Sequence, residues 1–219
     1  MHRDSIGSVV EITPGAVNWM TAGKGVVHSE RTPEHLRHSE KNLHGLQIWV
    51  ALPKALEETA PSFTHIAAAH LPEWEENGVR FKLIAGEAFG KKAGVPVYSP
   101  LYFLEIKNTA PATVNIGQHL YGESALYILE GSVTDGDHTF GPKQILIAKE
   151  AQLCRFEMAE NSTVYIFGGE PFPEERFIFW NFVASSKERL EKAKQDWVAQ
   201  RFPKIPGETE FVPLPQPRV

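Results

Sequence analysis

The 219-residue chain has a single cysteine, Cys154, so no internal disulfide can form and a reducing compartment suits it. It also has no excess of positive charge: 22 Lys and Arg against 27 Asp and Glu give a formal net charge of −5. A nucleic-acid groove needs a clustered basic face to offset phosphate charge, so direct nucleic-acid binding is not expected. No apolar run approaches the ~18 residues of a membrane span, and no charged-then-apolar leader opens the chain. The expectation is a soluble, cytoplasmic protein without membrane contact. Helical periodicity is scarce before the last fifth of the chain, which argues against parallel βαβ units.

Strand patterns fill that space. With 42% apolar residues the chain can bury one large core or two small ones. "SVVEI" (8–12), "LQIWVAL" (46–52), "LYFLEIK" (101–107), "SALYILEGSV" (124–133), "KQILIA" (143–148) and "STVYIF" (162–167) are β-branched or alternating runs. Gly, Pro, Asn and Asp punctuate them at the spacing of an antiparallel sandwich or barrel. One helix is expected in "SSKERLEKAKQDWVAQRF", with Ser185 and Glu188 as a capping box. In it Leu190, Ala193, Trp197 and Arg201 share a face, and Pro203 ends the run. Prolines 203, 206, 213, 215 and 217 predict an extended surface tail beyond it. A second, short helix is expected over Pro53–Glu58, and the stretch from there to Val97 reads as an irregular link between two units.

A faint internal repeat supports two units. "RDSIGSVVEITPGAVNWM" (3–20) resembles "TDGDHTFGPKQILIA" (134–148), each a polar hairpin turn, a Gly/Pro corner and an apolar strand. A strand, "SALYILEG" (124–131), precedes the second copy, whereas the first copy begins at what should be an internal hairpin. The same overlay places "RFE" (155–157) where the first copy has "HSE" (28–30). Arginine cannot ligate a metal, so any metal site is expected in the first unit.

His28 and Glu30 lie two apart in "GKGVVHSE" (23–30) and would share one face of an extended strand. Such a pair either holds a metal or forms a buried hydrogen bond. Gly23 and Gly25 permit a tight turn into that strand, and Pro14–Gly15 suits a type II turn. Trp19 and Trp49 read as core or cavity wall. "HSE" recurs at His38–Glu40 among charges that suggest a solvated loop. His2 is assigned to a frayed start of the chain, His44 to a possible cavity edge, and His119 with Glu123 to structural or surface positions.

The residues "HRDSIG" (2–7), "PGAVNWMTAGKGVVHSE" (14–30), "LHGLQIWVALP" (43–53), "LIAGEAFG" (83–90) and "GGEP" (168–171) resemble the pirin family of bicupins, and the tail 179–197 its bacterial branch. The resemblance implies an all-β fold of tandem cupin (jelly-roll) β-barrels with a C-terminal helix and extended tail. It assigns residues 1–58 to an N-terminal cupin domain, 59–180 to a C-terminal one and 181–219 to the helix and tail. Pirins resemble non-haem Fe(II) proteins with three histidines and one glutamate as ligands. Of these, His28 and Glu30 match the family's H-S-E motif. The other two histidines belong to an H-P-H-x-G motif upstream of "HRDS" that this sequence does not contain, so the first barrel is expected to be N-terminally incomplete. It is expected to be covered by the C-terminal tail, by a second chain, or not stably at all.

The resemblance further implies a quercetin 2,3-dioxygenase-type reaction on a flavonol-like planar substrate, with Fe(II) or another divalent metal and with Glu30 as the candidate base. Full structural metal sites gain about 10–16 kcal/mol, so half the ligands leaves about 5–8 kcal/mol and weak binding. The alternative from a different class is a non-catalytic, protein-binding regulatory role.

Overall fold

A computed structural model describes residues 1–151 and 154–215. The chain divides into two compact units: Met1–His65 together with the segment from Phe172 onward, and Ile66–Pro171.

The first unit opens with β1 (His2–Asp4), β2 (Val9–Val10), β3 (Val17–Thr21), β4 (His28–Glu30) and β5 (Ser62–Ile66). Three of them form a sheet in the order β2-β1-β4, and β3 pairs with β5. The corner before β3 is a type II turn: the Ala16 amide donates to the Thr13 carbonyl at 3.1 Å, and Gly15 carries the positive φ of 75° that this turn needs. The expected short helix is a 3-10 turn, Lys54–Leu56.

The second unit holds β6 (Glu73–Glu76), β7 (Val79–Ala88), β8 (Lys91–Lys92), β9 (Leu101–Asn108), β10 (Ala112–Asn115), β11 (Glu123–Glu130), β12 (Val133–Asp135), β13 (His138–Phe140), β14 (Ile145–Ala148), β15 (Arg155–Met158) and β16 (Thr163–Gly169). One antiparallel sheet runs β14-β11-β16-β9-β7-β6, with β8 paired to β7, and a second runs β10-β15-β12-β13. Alternation decides which face is dry. In β9, Tyr102, Leu104, Ile106 and Asn108 are buried while their neighbours are half-exposed. Leu83, Ile128, Val164 and Ile166 join them from one sheet, and Val114, Val133, Phe156 and Met158 are buried on the other. Each buried Val, Leu, Ile, Phe or Met among them contributes roughly 1.5–3 kcal/mol on removal from water.

The repeat seen in the sequence has a structural counterpart. The hairpin β12–β13 with β15 beside β12 has the same strand arrangement as β1–β2 with β4 beside β1.

The chain then returns to the first unit as β17 (Phe177–Phe179), β18 (Phe182–Ala184) and α1 (Lys187–Val198). The helix N-cap is Ser186, whose Oγ accepts the Arg189 amide at 3.3 Å, one residue later than the expected Ser185. Ser185 is committed elsewhere: its amide and hydroxyl both donate to Glu57. The helix ends at Val198 rather than at Pro203, because Gln200 turns into the left-handed region (φ 52°) as a C-terminal cap. Ser186→Ala is expected to cost about 0.5–2 kcal/mol of stability in denaturant unfolding. Beyond the helix the tail folds back: the Trp197 indole donates to the Val212 carbonyl at 2.9 Å, and its ring stacks on Phe211. The last four residues, Pro217 among them, lie outside the described residues.

Two expectations are corrected. Residues 46–52 are not a strand. Leu46, Trp49 and Val50 are exposed, since among the described residues no strand pairs with this run and its alternation has no sheet to bury against. Residues 59–97 are not an irregular link: they contribute β5 through β8, and β7 is the longest strand described. Among the described residues, no helix is long and apolar enough to cross a membrane.

Candidate functional site

Strand β4 pairs antiparallel with β1 in the register His2↔Glu30, Arg3↔Ser29 and Asp4↔His28. Residues directly opposite each other in an antiparallel pair share a face. His2, Asp4, His28 and Glu30 therefore lie on one side of the sheet, and Arg3 and Ser29 on the other. The turn that delivers β4 depends on Gly23. It has φ 52°, its Cβ would sit 2.1 Å from the Thr59 carbonyl oxygen, and that carbonyl accepts the Lys24 amide at 3.0 Å.

The four side chains differ in exposure. His2 is 2% exposed and Asp4 0%, whereas His28 and Glu30 reach solvent. Asp4 accepts the Ser8 amide at 2.8 Å and the Ile6 amide at 3.0 Å on Oδ1, and sits 3.1 Å from His2 Nε2 through Oδ2. Burial pushes the Asp4 carboxyl up, but the bonds from Ser8, His2 and Ile6 outweigh it and hold the group below its ordinary value. An ionised Asp4 accepts only, so the assignment consistent with it has His2 donating its Nε2–H. Nδ1 of His2 then faces Glu30 Oε1 at 3.9 Å. The His2 ring stacks between Phe63 (centroids 4.2 Å apart) and His28 (5.8 Å). Desolvation by surrounding protein lowers the His28 imidazole, His2 adds to this, and Glu30 opposes it.

The expectation that His2 frays is therefore overturned: it is strand-paired, buried and placed between Phe63 and His28. The signal was present in "HRD", whose His2 and Asp4 repeat the two-residue spacing of His28 and Glu30. His38, Glu40 and His44 are exposed, as is Glu123, while His119 stacks on Phe89 at 4.1 Å. Trp19 is half-buried and Trp49 is 48% exposed, so Trp49 is not core.

A metal fits this face only in part. His28 and Glu30 are exposed groups of the right donor type, whereas His2 gives its Nε2–H to Asp4 and has only a buried Nδ1 left to offer. Among the described residues, no three His, Cys, Asp or Glu side chains converge closely enough to hold an ion.

Behind the sheet, the odd-numbered set meets the C-terminal segment. Ser29 Oγ donates to Glu208 Oε1 at 2.6 Å, and Arg31 Nη2 to Glu208 Oε2 at 2.7 Å and to Glu210 Oε2 at 2.9 Å. An open cleft of about 900 Å³ lies here, lined by Glu30, Arg3, Arg31 and Arg37 on one side and by Pro206–Glu210 on the other.

Comparison with known proteins agrees with this architecture. Residues 1–50 match the family described as Pirin, and residues 103–203 the one described as the pirin C-terminal cupin domain. A pirin-like protein of Caulobacter vibrioides is 46% identical over 98% of this chain and 74% of its own length. Mouse pirin is 28% identical over 90% of this chain and 68% of its own. Among solved structures, a quercetin 2,3-dioxygenase from Acinetobacter baumannii superposes with a TM-score of 0.86 at 30% identity, covering all of this chain and 73% of that one.

Proposed function

Because the chain belongs to the pirin family of cupin proteins, we propose that it is a quercetin 2,3-dioxygenase-like protein whose His28 and Glu30 supply two donors to a divalent metal, Fe(II) by family resemblance. The observation that carries the reading is the common face of β1 and β4, which sets His28 and Glu30 side by side at the surface beside the buried His2–Asp4 pair. Glu30 is exposed, so its carboxylate is accessible to accept the hydroxyl proton of a flavonol-like planar enol docked on this face. A bound metal would supply Lewis acidity toward the ligand oxygens.

Two donors hold an ion weakly. The expected dissociation constant for Fe(II) or Ni(II) lies between about 1 μM and 0.1 mM, and His28→Ala weakens it by at least about tenfold. Isothermal titration of wild type and variant reads this directly, with quercetin consumption followed by absorbance in the loaded protein. Tight stoichiometric iron in the wild type would contradict the two-donor description. Weak binding unaffected by His28→Ala would remove these residues from the site. A loaded protein that leaves quercetin intact sinks the dioxygenase reading and favours the non-catalytic alternative.

A further inference from the structure

We propose that Glu208, on the C-terminal segment, is a positioning residue for the His28–Glu30 pair: through Ser29 and Arg31 it clamps the back of β4 and so fixes the face that β4 presents. The inference rests on the site assignment above and extends it to a part of the chain 178 residues distant from Glu30.

Alternation carries the argument. In β4 the side chains of His28 and Glu30 leave one face, and that of Ser29 leaves the other. A three-residue strand has few ladder bonds to hold its pose, and among the described residues β4 has a partner strand on one side only, β1. Its back face is held by side chains. Glu208 uses both carboxylate oxygens: Oε1 accepts Ser29 Oγ at 2.6 Å, and Oε2 accepts Arg31 Nη2 at 2.7 Å and Nε at 3.2 Å. Such a two-pronged Arg–carboxylate contact fixes orientation as well as distance. Arg3, on the back of β1, adds a cation 4.0 Å from Oε1. The Glu208 side chain is only 12% exposed, so these contacts are poorly replaced by water. The backbone agrees: the Arg31 amide and the Met1 carbonyl bond at 3.0 Å, so β1 and β4 shift together if the clamp opens.

The test uses the full chain. Glu208→Ala is expected to raise amide hydrogen exchange at Ser29 and Glu30 by at least tenfold while exchange in β9 and β16 stays at the wild-type rate. It is also expected to lower Ni(II) affinity by about tenfold and to weaken nuclear Overhauser contacts between the His2 and His28 rings. The swap Arg31→Glu with Glu208→Arg, which rebuilds the pair in reverse, is expected to restore both. Unchanged β4 exchange overturns the proposal, and so does faster exchange with unaltered ring contacts and Ni(II) affinity, which would leave Glu208 merely structural. If the wild type itself binds no Ni(II), the site assignment fails, while exchange and ring contacts still decide the clamp.

Discussion

Asp4→Ala is expected to destabilise the first unit by about 3–5 kcal/mol, the range for removing one partner of a buried charged network. Asp4 is fully buried, and its carboxylate serves the Ser8 amide, the Ile6 amide and His2 Nε2. Alanine leaves two amide donors of the β1–β2 turn and one imidazole without partners at the point where β1 meets β4. Asp4→Asn keeps Oδ1 for the two amides, and a change of His2 tautomer can meet the new amide nitrogen. Its expected cost is about 1 kcal/mol. Local hydrogen exchange at Ile6, Ser8 and His28 reads the loss without requiring the two units to unfold together. The pH dependence has a definite sign. The carboxyl is held below its ordinary value of 3.8 in the folded protein. The stability it contributes is therefore fully present above 3.8 and is lost as pH falls through the lower folded value. Asp4→Ala removes that acid limb. An alanine variant within 1 kcal/mol of wild type would show that water replaces the carboxylate.

Much of this architecture is legible in the residues, and the failures have physical causes. The strands β9, β11 and β16 are legible because each runs seven or more residues between paired neighbours, with buried and half-buried positions alternating along β9 and β11 and over Val164–Phe167 in β16. "LQIWVAL" alternates equally well, yet pattern alone says nothing about whether a partner strand stands beside it. β7 lies in the stretch expected to be irregular, although "ENGVRF" contains an Asn-Gly pair, the strongest two-residue hairpin signal. Asn77 and Gly78 do take positive φ values of 52° and 75° between β6 and β7. The cap misassignment follows from two adjacent serines: Ser185 and Ser186 look alike in sequence, and the buried Glu57 takes the first. At the site, spacing located His28 and Glu30 on one face. It could not show that β1 lies antiparallel beside them, which is what brings His2 and Asp4 onto the same face, nor that Glu208 reaches Ser29.

Glu57→Ala is expected to cost the first unit about 3–5 kcal/mol as well, through a different joint. Glu57 follows the 3-10 turn Lys54–Leu56 and is 9% exposed. Its two oxygens are divided between the Ser185 amide (2.6 Å) and the Ser185 hydroxyl (2.7 Å), immediately before α1. The guanidinium groups of Arg189 and Arg176 stand at 3.6 and 3.9 Å. Alanine strands the Ser185 amide and leaves two cations facing a partly dry pocket. Arg176 keeps the Leu52 carbonyl at 3.1 Å and Arg189 keeps Glu58, which limits the damage to the α1 junction. Glu57→Gln retains one acceptor for the Ser185 amide and offers its NH2 to the hydroxyl, which can accept as well as donate, so about half the loss is expected. Loss of the joint frees the start of α1, and with it the path of the tail toward Glu208. Limited proteolysis near residue 186 should therefore accelerate in Glu57→Ala, and exchange at Ser29 should rise with it. Faster cleavage with no change at Ser29 would show that α1 and the clamp on β4 are held independently.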